Sequence, residues 1–233
     1  MSGIVIAIDG PSASGKSSTA RAVAEALGFS HLDSGSLYRG VTLVAIRELE
    51  HHASGTDPLE VGAEKILRAA EDRGLMLLPD GAGYAAYLEG EPVDDAIRSA
   101  EVTRHVSAVS AVPVIREWVN SYLRQLVRAG QNVVVDGRDI GTVVFPDADL
   151  KVFLTASPKT RAGRRLSQRG QRVDQEEIDR EAVLLEGRDR ADSTRSVAPL
   201  RRAGDALELD TTSLSFGDAV SWILERARAA FGR

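Results

Sequence analysis

The sequence contains no cysteine, which excludes a disulfide framework, a thiolate metal site and a cysteine nucleophile. Aromatic residues amount to only 5%, too few for the stacking platform on which single-stranded nucleic acid is held. No apolar run approaches the length needed to cross a bilayer. The N-terminus, Met1-Ser2-Gly3 followed by the apolar stretch Ile4 to Ile8, lacks both the basic flank and the apolar length of a signal peptide. A cytoplasmic protein without a membrane partner is the expectation. An excess of basic residues is missing too. The formal net charge is −5, which argues against nucleic acid as a general partner. Lysine is scarce, at 4 residues against 25 arginines.

What is present is a chain of 233 residues, 43% apolar and 27% charged, the composition of a folded soluble domain. A chain of this size buries roughly 70% of its unfolded surface and needs no covalent or metal staple. Arginine's planar fork suits phosphate recognition. A GC-rich coding bias would raise the arginine total in the same way, so the placement of the arginines has to carry the argument.

Residues 4–8 form a short continuous apolar run closed by Asp9-Gly10-Pro11, the pattern of a strand buried on both faces of a parallel sheet. Residues 17–27 then place Ala20, Val23, Ala24 and Leu27 at helical spacing, with Gly28 as the stop. Residues 132–135, 150–154 and 206–209 repeat the strand signal, and 219–231 is a closing amphipathic helix. Strands alternating with helices predict a parallel α/β sheet. Two stretches depart from that pattern. Residues 75–79 and 84–93, with turn chemistry at Asp80-Gly81-Ala82-Gly83, read as a small antiparallel insertion. Residues 161–202 hold 11 of the arginines together with eight acids. That stretch reads either as a solvated helical hairpin laced with ion pairs or as a phosphate-facing lid. The segment 51–58 reads as a loop, and its adjacent histidines His51 and His52 lack a third metal ligand nearby.

One motif sets the chemistry. Gly10-Pro11-Ser12-Ala13-Ser14-Gly15-Lys16-Ser17 satisfies G-x-x-x-x-G-K-[ST], and it lies between a predicted strand and a predicted helix, the context it requires. Backbone N–H groups of such a loop, with the helix N-terminus, form a cradle for the β- and γ-phosphates of a nucleoside triphosphate. Lys16 supplies a point charge, and Ser17 or Ser18 a hydroxyl for Mg²⁺. A GTPase would carry Asn-Lys-x-Asp, but neither Asn120 nor Asn132 is followed by lysine. With one such loop in 233 residues a motor is short of parts, which leaves a small-molecule kinase with a second anion site for its acceptor.

Candidates for that second site follow. In Asp33-Ser34-Gly35-Ser36-Leu37-Tyr38-Arg39, Ser34 and Arg39 can reach an acceptor phosphate, although a capping serine and a surface arginine would look the same. Asp136-Gly137-Arg138-Asp139 follows a strand, so Arg138 and Asp139 belong beyond the carboxyl end of the sheet, where ligands bind. Arg188, Asp192 and Arg195 fall at i, i+4 and i+7, one charged stripe if helical. Ser107 and Arg116 flank Val112-Pro113, which should break a helix; spacing alone assigns them nothing.

Taken in order, GPSASGKSS (10–18), LDSGSLYRG (32–40), LEGEPVDDAIRSAEV (88–102), DGRDIGTVVFPDA (136–148) and RDRADSTRSVAPL (188–200) resemble the bacterial-type cytidylate kinases, a family of P-loop nucleoside-monophosphate kinases. The resemblance runs over nearly the whole chain. It implies a single α/β P-loop kinase domain with three subregions: a CORE of parallel sheet and flanking helices (about 1–39, 106–160 and 200–233), an NMP-binding region with the β insertion (about 40–105), and an arginine-rich helical LID (about 161–199). The implied reaction is transfer of the γ-phosphoryl of ATP to CMP or dCMP with Mg²⁺ as cofactor, by an enzyme that is usually a monomer.

By the same resemblance, residues 10–18 bind ATP, and Lys16, Arg138, Arg188 and Arg195 carry the catalytic positive charge. Ser34, Ser107, Arg116 and Asp139 go to the nucleotide, the last three mainly to cytosine. Arg39, Arg138 and Arg195 hold the CMP phosphate, and Arg188 and Asp192 reach the ribose. Ser17 or Ser18 faces the metal, with both hydroxyls left as candidates, and Asp33 lies further out from it. Two departures from the family pattern are Lys-Ser-Ser at 16–18, where many relatives have Lys-Gly-Thr, and Ser36, where alanine is common. A carboxylate at Asp139 would accept from the N4 amine of cytosine, while uracil would set a carbonyl against it. Other acceptors (UMP, AMP, an alcohol) and an ATP-gated module without phosphotransfer are the alternatives. A mere switch has no need of two arginine clusters.

Overall fold

The computed structural model describes residues 3–52, 57–127, 130–171 and 173–232. In chain order the elements are β1 (Val5–Asp9), α1 (Lys16–Leu27), β2 (Ser30–Asp33), α2 (Ser34–His52), α3 (Ala63–Asp72), β3 (Met76–Asp80), β4 (Gly83–Leu88) and β5 (Glu91–Pro92). They continue with α4 (Ala100–Val109), α5 (Pro113–Val127), β6 (Val133–Gly137), β7 (Leu150–Thr155), α6 (Pro158–Gln168), α7 (Gln175–Thr194), β8 (Leu207–Asp210) and α8 (Phe216–Phe231). They fall into two compact units, Met1–His31 with Gly130–Arg233, and Leu32–Ala129.

In the first unit the strand order is β6-β1-β7-β8, all parallel. The expected continuous apolar run is half-buried at Ile4 and Val5 and then fully covered: Ile6, Ala7 and Ile8 have no exposed surface, as a strand covered on both faces must. One apolar core joins Ile6, Ile8, Val134, Val152 and Leu154 of the strands to Ala20, Val23 and Ala24 of α1 and to Ile223 and Ala227 of α8. Gly28 stops α1 in the left-handed conformation its sequence position suggested. Register matters for function. Asp9 pairs with Gly137, so the loop after β1 and the turn after β6 leave the sheet side by side. Downstream, α6 and α7 form an antiparallel hairpin around Ala162, Ala182 and Leu185.

The second unit carries the insertion. β3 and β4 pair antiparallel from Met76↔Tyr87 to Asp80↔Gly83, β5 adds to β4, and Gly81 at φ 56° turns the chain between them. Pro113 opens α5 at the break after α4, as its missing N–H allows. Two expectations are corrected. The stretch expected to be a loop at 51–58 begins inside α2, which runs to His52, and ends in a helical turn at Pro58–Val61; residues 53–56 lie outside the described residues. β2 was not anticipated: Ser30-His31-Leu32-Asp33 is too short and polar to show a strand pattern, and pairing makes it one. No helix among the described residues is long and apolar enough to cross a membrane.

Candidate functional site

The loop after β1 is wound tightly. A Cβ on Gly10 would lie 2.2 Å from the Leu154 carbonyl oxygen, so only glycine fits. Ala13 (φ 59°) and Gly15 (φ 91°) both turn left-handed before α1 begins, and no side chain caps that helix. A helix start without a side-chain cap is the kind of N-terminus at which anions bind. One loop N–H already meets a carboxylate: that of Ser12 donates to Asp189 Oδ1 at 2.9 Å. Arg161, 5% exposed, pairs with the same Asp189 and donates to the Ser12 carbonyl at 2.9 Å. Lys16 is buried, its Nζ 3.1 Å from the Pro11 carbonyl.

Ser17 donates its hydroxyl proton to Asp136 Oδ2 at 2.5 Å. Asp136, next to last in β6, is 1% exposed, and its other oxygen lies 2.8 Å from His31 Nε2. Burial would push this carboxyl up, but His31, Lys16 and Ser17 together outweigh it and hold it below the ordinary carboxylate range. Ser18, by contrast, is exposed. A hydroxyl oxygen with its proton committed to a buried carboxylate is a hard donor beside an anion cradle, which fits Mg²⁺ accompanying a triphosphate.

Asp9, at the end of β1, accepts N–H bonds from Ile140 and Gly141, each at 2.8 Å, and so fixes the turn after β6. Burial raises its pKa to about 6 against the pull of those two donors, and the neighbouring Asp139 carboxylate adds to the rise. From that turn Arg138 donates to Asp192 Oδ2 and to the Ser12 hydroxyl, both at 2.9 Å. Arg195 lies 3.6 Å from the buried Asp139 and 3.9 Å from Asp192, and its Nε donates to the Ala198 carbonyl. The expected helical stripe is thus corrected. α7 carries Arg188 and Asp192 but stops at Thr194, and Arg195 has left the helix (ψ 144°), which lets it turn toward Asp139. Arg188 is half-buried, and desolvation lowers its pKa, with Arg169 and Arg138 adding to the effect. Around the hairpin, exposed pairs such as Lys159–Asp179 sit beside buried ones such as Arg161–Asp189.

The second unit holds the remaining candidates. Asp33, not Ser34, caps α2: its carboxylate accepts from the Gly35 N–H at 2.9 Å and the Ser36 hydroxyl at 3.1 Å. Ser34 is buried. Arg39 donates to the Ile97 carbonyl and to the Thr103 hydroxyl. Arg116 is only 2% exposed, donates to the Ser110 carbonyl at 2.9 Å and lies 5.2 Å over the Tyr38 ring. Ser107 keeps its carbonyl on the Ser110 hydroxyl. The first unit therefore gathers Ser12, Arg138, Asp139, Asp192 and Arg195, and the second gathers Arg39 and Arg116 on the helices after β2. Sequence reasoning missed His31, Asp136, Asp189, Arg161 and Asp9. Only Asp9 and Asp136 carried a local signal, as acids that follow runs of apolar strand residues.

A glycine loop leading into a helix with no side-chain cap, a lysine within it and a guanidinium bonded to the loop's own serine all suit one kind of ligand, a phosphoryl group beside a second phosphate. On a parallel α/β sheet they define a P-loop phosphotransferase. Comparison with known proteins narrows the class. The family described as cytidylate kinase matches residues 6–229. Proteins named cytidylate kinase include one from Mycobacterium leprae, 41% identical over 100% of this chain and 99% of its own length. One from Carboxydothermus hydrogenoformans is 42% identical over 94% and 95% of the two chains. A third, from Streptococcus gordonii, is 42% identical over 98% of each. The chain belongs to the cytidylate kinase family and is an ATP-dependent nucleoside-monophosphate kinase.

Proposed function

We propose that this kinase transfers the γ-phosphoryl of ATP to CMP or dCMP, giving ADP and CDP or dCDP, with the acceptor phosphate held by Arg138 and Arg195. The observation that carries this is the hydrogen bond from Arg138 to the hydroxyl of Ser12 in the P-loop, with Asp192 bridging to Arg195. It supports a donor phosphate and an acceptor phosphate meeting at one edge of the sheet. The acceptor oxygen is already an anion at neutral pH, so alignment and charge stabilisation suffice and no strong general base is needed.

In this reading residues 10–18 hold the ATP phosphates, with Lys16 in the loop. Ser17 holds Mg²⁺, steered by Asp136, which supports Ser17 over the exposed Ser18. When bound, the metal neutralises charge on the β- and γ-phosphate oxygens. Asp139 accepts from the cytosine amine. Arg188 and Asp192 serve the ribose, and Ser34, Arg39, Ser107 and Arg116 also serve the nucleotide, as their match to the family motifs implies. The hairpin of α6 and α7 acts as the lid that excludes water from the transferring phosphoryl.

The test is ADP release from Mg·ATP with CMP, dCMP, UMP, AMP, GMP or no acceptor. Release confined to CMP and dCMP is expected. Release with UMP or AMP in their place would discard the base assignment, and release independent of any acceptor would discard the transfer reaction.

A further inference from the structure

Nothing in the phosphate chemistry calls for a histidine, yet His31 is buried to 4% exposure beside the carboxylate that steers Ser17. It lies on β2, whose Ser30 N–H donates to the Asn132 carbonyl just before β6, so backbone pairing sets its distance from Asp136. A carboxylate only accepts, so the Nε2 of His31 carries the proton of the 2.8 Å bond. The two oxygens of Asp136 are thereby divided, Oδ1 to His31 and Oδ2 to Ser17. Without the ring, Oδ1 loses the 2.8 Å bond that helps set the plane of the carboxylate, and a turn of that plane carries Oδ2 away from the Ser17 hydroxyl. With the ring in place, the hydroxyl proton points at Asp136 and its lone pairs face outward.

We propose that His31 is a positioning residue for the metal–nucleotide complex: through Asp136 it fixes the hydroxyl rotor of Ser17 so that an oxygen lone pair meets the divalent cation accompanying ATP. This rests on the reading of Ser17 as the cation's ligand. Metal ligands are commonly oriented by hydrogen-bonded partners in this way, and loss of such a partner costs about tenfold or more in metal affinity.

The experiment measures ATP binding by calorimetry, once with Mg²⁺ and once with EDTA. His31→Leu is expected to weaken Mg·ATP binding by about tenfold while metal-free ATP binds as in the wild type. His31→Gln, whose amide N–H reaches the position of Nε2, is expected to restore Mg·ATP binding. If the leucine variant does not fold, His31→Asn takes its place, because its amide is too short to reach Asp136. Equal weakening with and without metal, or no weakening at all, overturns the proposal. Failure of a folded glutamine variant to restore binding does the same. Ser17→Ala separates the two readings. If it leaves the metal dependence intact, the assignment of Ser17 is wrong and the role of His31 falls with it. If it abolishes that dependence while His31→Leu does not reduce it, only the role of His31 is wrong.

Discussion

Replacing Asp9 by asparagine removes a carboxylate that folding makes harder to ionise. Asp9 is 5% exposed, and burial lifts its pKa from 3.8 to about 6 even though the Ile140 and Gly141 N–H groups stabilise the charge. A group with a raised folded-state pKa contributes stability in full below its unfolded value, and that contribution is lost as pH rises through the folded one. A gap of about two units is worth about 3 kcal/mol, of which about 2 kcal/mol falls between about pH 4.5 and 7.5. Asparagine cannot ionise. It has one acceptor oxygen for two N–H donors, which costs about 1–3 kcal/mol at every pH. The stability of the wild type minus that of Asp9→Asn should therefore fall by about 2 kcal/mol across that range, on top of a constant offset. All other titrations cancel in the difference. Urea unfolding at a series of pH values measures it. Trp222 on α8 reports the unit that contains Asp9 once Trp118, in the other unit, is changed to phenylalanine in both backgrounds. A difference that does not vary with pH refutes the reasoning. A difference that rises with pH shows that the two N–H bonds outweigh desolvation.

Three further outcomes follow from the site. Lys16→Ala should lower turnover by at least about a hundredfold while the far-ultraviolet spectrum and Tm stay close to the wild type, since in the proposed function the lost charge acts on the phosphoryl in transit. Near-normal turnover would remove Lys16 from the chemistry. Asp139→Ala should reduce the CMP-over-UMP ratio of kcat/KM by about tenfold to a hundredfold, the worth of one well-placed base contact. An unchanged ratio would move base recognition elsewhere. Arg161→Leu strips Asp189 and the Ser12 carbonyl of a buried partner and should cost about 3–5 kcal/mol in denaturant unfolding. A cost within error would mean that Asp189 finds water instead.

The nucleotide chemistry was legible locally because it depends on backbone shape. Gly10 and Gly15 are needed where the loop passes the Leu154 carbonyl and turns left-handed, and a glycine–lysine–serine run between an apolar strand and a helix announces both. The parallel strands and the antiparallel insertion were legible as well, since their apolar periodicity is a property of contiguous residues. β2 was not. Ser30-His31-Leu32-Asp33 has no periodicity to read, and its strand character comes from pairing with a segment a hundred residues away.

Sequence by itself carried the glycine–lysine–serine loop, the sheet class and the set of arginines from which a second phosphate site can be drawn, all of which follow from residue type and local spacing. The tertiary structure alone decided who holds whom. Asp136 reaches Ser17 and His31 because β6 lies between β1 and β2, Asp189 reaches the Ser12 N–H because α7 folds back on α6, and Arg195 turns to Asp139 because the helix stops one residue earlier. These are contacts between residues from 28 to 177 positions apart in number, as in the Arg161–Asp189 and Ser12–Asp189 pairs. Side-chain hydrogen bonds of that span leave no mark on composition or period; only the register of the sheet and the end of a helix bring the partners within reach.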